Sequence, residues 1–239
     1  MKKILLSISA FLLCFSVLMA QTDPNRTVKT KIIDALAQLP AQNQEKFNTI
    51  MKDIASTGDE GVNLLMGMMN PPGKESNAQI DYALTGLTYY VAVPGREAEK
   101  EKVEQAYIKV LPQAQSKGRE PLAFVIRQLQ VIGTDASVPA LSKYLTDKEV
   151  AGPAARALAS INTAAAQEAL ISALQSATAD TQNDMINAVG TAKIAAAEPV
   201  LLEMLSKPGL SANTEKDLLY AISRCGSKSS LSTLAKKAK

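Results

Sequence analysis

The feature that most constrains this chain is a repeat between Glu120 and Lys239. Leu129, Leu158, Val189 and Ile222 superimpose at steps of 29, 31 and 33 residues. Ile132, Ile161, Ala192 and Cys225 follow three positions later in each unit. Leu141, Leu170 and Leu201 keep the same offsets, as do Leu145, Leu174 and Leu205. Apolar residues every three or four positions line one face of a helix, so two such stripes per period mean two helices per unit. A unit this short cannot bury both faces alone and must stack on its neighbours. The expected fold is therefore all-α, an α-solenoid of stacked helical hairpins.

Turn chemistry agrees with that register. The units turn at Gly133-Thr134-Asp135, at Asn162-Thr163, near Lys193 and at Gly226-Ser227. Asparagine tolerates the left-handed conformation that ends many helices. Pro139 and Pro199 open the second helix of the first and third units, where a missing N–H has no partner to lose. Upstream, helical spacing predicts segments over 28–39, 42–55, 62–69, 77–91 and 96–114, with Asp59 placed to cap the third. Pro40 and the run Asn70-Pro71-Pro72-Gly73 interrupt them, and 113–119, with Gly118, reads as a linker. Three parts follow: a signal peptide over 1–20, an irregular N-terminal helical region over 21–118, and four helical repeats over 119–239.

The signal peptide rests on Lys2 and Lys3, an apolar run from Ile4 to Met19, and Ala20 before Gln21. It implies export to the periplasm or cell envelope with cleavage near Ala20; an uncleaved anchor is the alternative. Leu13 before Cys14 does not suit lipoprotein processing. The chain carries 26 Lys and Arg against 23 Asp and Glu, and without Lys2 and Lys3 the signs nearly balance. Nucleic acid demands a basic stripe, so it is not an expected partner. After cleavage Cys225 is the sole cysteine; its place on an apolar stripe reads as a small buried hydrophobe.

The unit from Val125 through Ile132-Gly133-Thr134-Asp135-Ala136 and Val138-Pro139-Ala140-Leu141 to Leu145 resembles a HEAT-like repeat of the short bacterial kind, related to armadillo-type superhelices. Four such units in series cover about half of the chain. Upstream, Leu39-Pro40-Ala41-Gln42-Asn43-Gln44, Gly61-Val62-Asn63-Leu64-Leu65-Met66 and Tyr82-Ala83-Leu84-Thr85-Gly86-Leu87 are similar to the helical parts of exported Bacteroidales proteins. Some of those carry a further 3-keto-disaccharide hydrolase domain. The resemblance implies a second reading, an accessory module of a glycan-processing hydrolase, but no hydrolase residue carries over to positions of this sequence.

Side-chain chemistry argues against catalysis. Histidine, the commonest general base and a frequent metal ligand, is absent from the sequence. One mature cysteine excludes zinc sites of the Cys and His type. Asp180 with Asp184, and Glu97 with Glu101, stand four apart but read as solvated charges. Met66, Met68 and Met69 offer thioethers suited to Cu(I), yet they continue an apolar helix and read as core. Pro72-Gly73-Lys74 lacks the flanking residues of a phosphate loop. Tyr82, Tyr89 and Tyr90 suggest a sugar platform, but the seven-residue spacing of Tyr82 and Tyr89 favours burial. Lys236, Lys237 and Lys239 complement a helix C-terminus, and Leu231 and Leu234 look under-covered.

Binding is the better expectation. Lys143, Ser172 and Glu203 hold equivalent places on the second helices, as do Thr146, Gln175 and Ser206. Together they form two polar ridges on the inner face, suited to a protein or peptide partner. The sequence thus reads as an exported, non-catalytic binding or scaffolding protein with no cofactor and no membrane span after cleavage.

Overall fold

The computed structural model describes residues 26–237. The expected signal peptide, its cleavage point and Lys239 lie outside them. Thirteen helices are found among the described residues, and no strand. Upstream of the repeats stand α1 (Val28–Ala37), α2 (Gln44–Ala55), α3 (Gly58–Met68), α4 (Ala78–Val91) and α5 (Glu97–Lys117). Then come α6 (Arg119–Ile132), α7 (Val138–Ser142), α8 (Ala151–Ile161) and α9 (Ala164–Gln175). They are followed by α10 (Gln182–Ala192), α11 (Glu198–Ser206), α12 (Ala212–Cys225) and α13 (Leu231–Lys237). Short 3-10 turns, Asp135–Ser137, Ala195–Ala197 and Lys228–Ser230, lead into α7, α11 and α13.

These helices form two rows. Each even-numbered helix from α2 to α12 packs on the next even one. The odd-numbered helices form the second row: α1 lies on α3, α3 on α5, α5 on the turn before α7, α7 on α9, and α9 on α11. The alternation runs through both the upstream helices and the repeats. The chain is an α-solenoid of stacked helical hairpins.

The apolar register explains the stacking. Leu129, Leu158, Val189 and Ile222 are fully buried between the rows, with Leu141, Leu170 and Leu201 opposite them. Leu145, Leu174 and Leu205 are also buried. Each such side chain contributes about 1.5–3 kcal/mol of transfer free energy. Small residues let the even row close up. A Cβ on Gly190 of α10 would lie 2.9 Å from the Cα of Ala221 on α12, so only glycine permits that approach.

Carboxylates tie neighbouring units together. Glu104 of α5, 2% exposed, accepts from the Thr134 N–H at 2.7 Å and from the Ser137 hydroxyl at 2.6 Å. Asp135 accepts from the Thr163 hydroxyl in the next unit. Glu198 accepts from the Ser227 N–H at 2.9 Å and from its hydroxyl at 3.1 Å. The bonds from the Thr134 and Ser227 N–H groups satisfy backbone donors that the helical ladder leaves open.

Several boundaries differ from expectation. The stretch read as a linker is helical through Lys117; α5 continues past Pro112, held by buried Val110, Leu111 and Ala114 on both sides of it. Gly118, at φ 121°, alone joins α5 to α6. The α7 helix ends at Ser142 instead of Leu145, because Tyr144 and Leu145 donate to carbonyls three residues back. Asp59 does not cap α3, which starts at Gly58; Asp59 lies in its first turn. The proline positions and the left-handed Asn162, at φ 50°, are as read. Lys193 ends α10 in the same conformation, at φ 55°.

Candidate functional site

In two packed rows each helix has one open side, and the open sides of the even helices form a single face. Its residues fall on a grid set by the repeat. Val131, Ser160, Thr191 and Arg224 are each the penultimate residue of their helix, and all are exposed. One turn earlier stand Arg127, Arg156, Asn187 and Tyr220, also exposed. A further turn back are Phe124, Pro153, Asp184 and Asp217, half-buried between helices. On α4 the same side shows Tyr82, Thr85 and Tyr89.

A cleft of about 250 Å³ crosses this face over α6, α8 and α10. Arg156, Asp184, Gln130, Ser160, Asn187 and Thr191 supply its polar walls. Gly152 makes room for the acid: a Cβ there would fall 2.8 Å from Asp184 Oδ1. Burial holds the Asp184 carboxyl above the usual carboxylate range, and the Arg156 guanidinium beside it pulls the other way. Upstream a carboxylate again lies beside an arginine, but on the preceding helix: burial raises Asp81 of α4 against the charge of Arg127 of α6. Those two groups and Phe124 line a second hollow of about 150 Å³.

Neither arginine is committed elsewhere. Neither takes part in the ion pairs Arg26–Asp34, Lys109–Asp59, Arg119–Glu149 and Lys207–Glu203. Asn187 gives one amide hydrogen to Asp217 at 3.3 Å and keeps its carbonyl oxygen. A side-chain amide carries donor and acceptor together, the same pair that a peptide group presents. Such a face can hold main chain and charged side chains; it brings no nucleophile and base into hydrogen-bond reach.

The ridge expected from the sequence lies on the odd row, away from this face. All six of its residues are exposed. Lys143 lines a hollow of about 410 Å³ between α5 and α7, while Gln175 and Glu203 line another of about 320 Å³ between α9 and α11. Ser172, Thr146 and Ser206 border neither hollow. Ser206 donates its hydroxyl to the Glu203 carbonyl, and Glu203 pairs with Lys207 at 3.6 Å.

Other residues singled out in the sequence fall as follows. Tyr82 and Tyr89 are not buried but 41% and 59% exposed, whereas Tyr90 is buried beneath Arg96, 3.7 Å from its ring centroid. The seven-residue spacing marks one stripe, but α4 turns that stripe outward and buries Ile80, Ala83, Leu84 and Leu87 instead. Tyr82 meets the half-buried Phe47 edge-on. Asp184 is half-buried, so the solvated reading fits only Asp180 of that pair; Glu97 and Glu101 are exposed. Met66 and Met69 are core and Met68 is at the surface. Burial raises the Cys225 thiol, which donates to the Ala221 carbonyl. Leu231 is exposed and Leu234 half-buried. Among the described residues no group of three or more His, Cys, Asp or Glu is placed to hold a metal, and no helix is long and apolar enough to cross a membrane.

Arg127 and Arg156 escaped the sequence reading. They carry the repeat offset of Leu129 and Leu158, so the signal was present two positions before each of those leucines. It was hidden because the next two members of the column are Asn187 and Tyr220, which change its chemistry.

Comparison with known proteins agrees with the repeat. Residues 154–176 match the PBS lyase HEAT-like repeat, so the chain carries a HEAT-like repeat across α8 and α9. No curated protein matches. Two crystal structures of engineered proteins from the Northeast Structural Genomics Consortium are similar. One is 19% identical, with 81% of this chain and 96% of that chain covered and a TM-score of 0.42. The other is 18% identical, with 87% and 61% covered and a TM-score of 0.41.

Proposed function

We propose that this HEAT-like helical-repeat protein is exported to the cell envelope and acts there, without chemistry of its own, as a surface that holds a protein or peptide along the open face of its even-numbered helices. The observation that carries the reading is the cleft over α6, α8 and α10, where Arg156 and Asp184 face solvent without a hydrogen bond from the fold. Each is the other's neighbouring charge, and the hydrogen-bonding capacity that neither side chain spends on the fold is open to a ligand. The absence of histidine from the sequence supports a binding role, and Lys2, Lys3 and the apolar run to Met19 support export.

The test is co-purification from the envelope of the source organism with two variants. Arg127→Glu with Arg156→Glu changes the even face, and alanine at Lys143, Ser172 and Glu203 changes the odd ridge. The even-face variant loses its partner and the odd-ridge variant keeps it, with unchanged helicity in both. The opposite pattern moves the site to the odd row. Amino-terminal sequencing of the native protein checks export: a mature chain beginning at Gln21 is expected, and one beginning at Met1 contradicts it.

A further inference from the structure

The open face is not uniform along the stack, and its order of chemistries specifies a ligand. At the upstream end, α4 and α6 present Tyr82, Tyr89 and Val131, each at least 41% exposed, with Phe124 half-buried beside them. Isolated exposed apolar residues need no explanation, but several gathered on adjoining helices form a contact patch. Next, α6 and α8 present Arg127 and Arg156 at equivalent positions. Last, α10 and α12 present Asp184 and Asp217 at equivalent positions. From α4 to α10, the two tyrosines, the two arginines and Asp184 therefore follow one another in that order; α12 breaks it, with Tyr220 55% exposed and Arg224 on the same face as Asp217.

Resting on the reading of this face as a binding surface, we propose that it recognises an extended segment of a partner protein that crosses the helices and carries an apolar or aromatic residue, then an acidic residue, then a basic one. The spacing follows from geometry. Packed helices lie about 8–10 Å apart and an extended chain advances about 3.3 Å per residue, so one row step takes about three residues. The acidic residue sits about three positions from the apolar anchor, and the basic residue about six positions beyond it. Opposing charges sharpen the order. Asp81 beside Arg127 and Asp184 beside Arg156 weaken each guanidinium for a lone anion, so free acidic chains bind poorly. Toward the downstream end Asp217 already takes an amide hydrogen from Asn187, and Lys216 stands exposed just before it. A ligand cation therefore finds its open carboxylate at Asp184.

The experiment uses the full mature chain and fluorescein-labelled synthetic peptides, read by anisotropy. The parent peptide carries Tyr, Glu and Lys at the stated spacing. One control exchanges Glu and Lys, one removes three residues between them, and one replaces Tyr with Ser. The parent is expected to bind at least tenfold more tightly than each control, and the advantage of Tyr over Ser disappears in Tyr89→Ala with Val131→Ala. In a variant with Arg127→Glu, Arg156→Glu, Asp184→Lys and Asp217→Lys the exchanged peptide becomes the better ligand. Equal binding of parent and exchanged peptides, or no binding of the parent, overturns the inference. If the even-face variant still loses its native partner in that case, the surface stands and only the order of chemistries fails.

Discussion

At the scale of single residues, two glycines shape the open face in different ways. Gly152 gives space to the end of a flexible side chain, the Asp184 carboxylate, whereas Gly190 gives space to the backbone of α12. A carboxylate can swing aside and a helix cannot, so only the second position bears on stability. Gly190→Ala is expected to force α10 and α12 apart and to cost about 1–3 kcal/mol, read as a lower urea midpoint with unchanged helical signal. An unchanged midpoint would show that the rows do not pack closely there. Residue types also decided what the sequence could reveal. Burial of the leucine columns was legible, since only core packing requires that spacing. The exposure of Tyr82 and Tyr89 was not, because helical periodicity identifies a stripe without saying whether it faces neighbour or solvent.

At the scale of elements, the carboxylate clasps join one unit to the next. Glu104 lies buried with hydrogen bonds from Thr134 and Ser137 and no cationic partner among the described residues. Glu104→Ala leaves the buried Ser137 hydroxyl and the Thr134 N–H without their acceptor, at a cost of about 1–3 kcal/mol, measured by chemical denaturation. No loss of stability would mean that the clasp is dispensable. Glu198 makes the same kind of clasp at the surface. The Ser227 backbone N–H, followed by the hydroxyls of its turn, holds its carboxyl below the ordinary value of 4.5. A carboxyl lowered in the folded state favours folding above its unfolded pKa, and that contribution fades as pH falls through the folded value. Stability between neutral pH and pH 3 should therefore fall less steeply in Glu198→Gln than in the natural protein; identical slopes would remove the clasp from the account. These clasps were beyond sequence reading because each joins residues about one repeat apart whose types vary from unit to unit. The extent of α5 was hidden for a local reason: beyond Ala114 the polar run to Gly118 carries no apolar stripe, yet the helix continues to Lys117.

At the scale of the whole molecule, two rows of helices create two open faces with different chemistry. On the odd row, Glu203 and Ser206 are occupied by neighbouring groups, while Lys143 and Ser172 make no side-chain bond among the described residues but share no hollow. On the even row, Arg127, Arg156 and Asp184 keep capacity for a ligand, and the repeat lines them up across helices. The period of the sequence was enough to predict the stack, because stacking follows from apolar positions. It was not enough to choose the face, because polar positions obey the same period on both rows and only the cleft that gathers them across three helices sets the even row apart. The most direct measurement is site-specific photo-crosslinking in the native envelope, with the reactive side chain placed in turn at Arg156, Thr191, Lys143 and Ser172. The account predicts a protein adduct from Arg156 and Thr191 and none from Lys143 or Ser172. An adduct confined to Lys143 and Ser172 would contradict it.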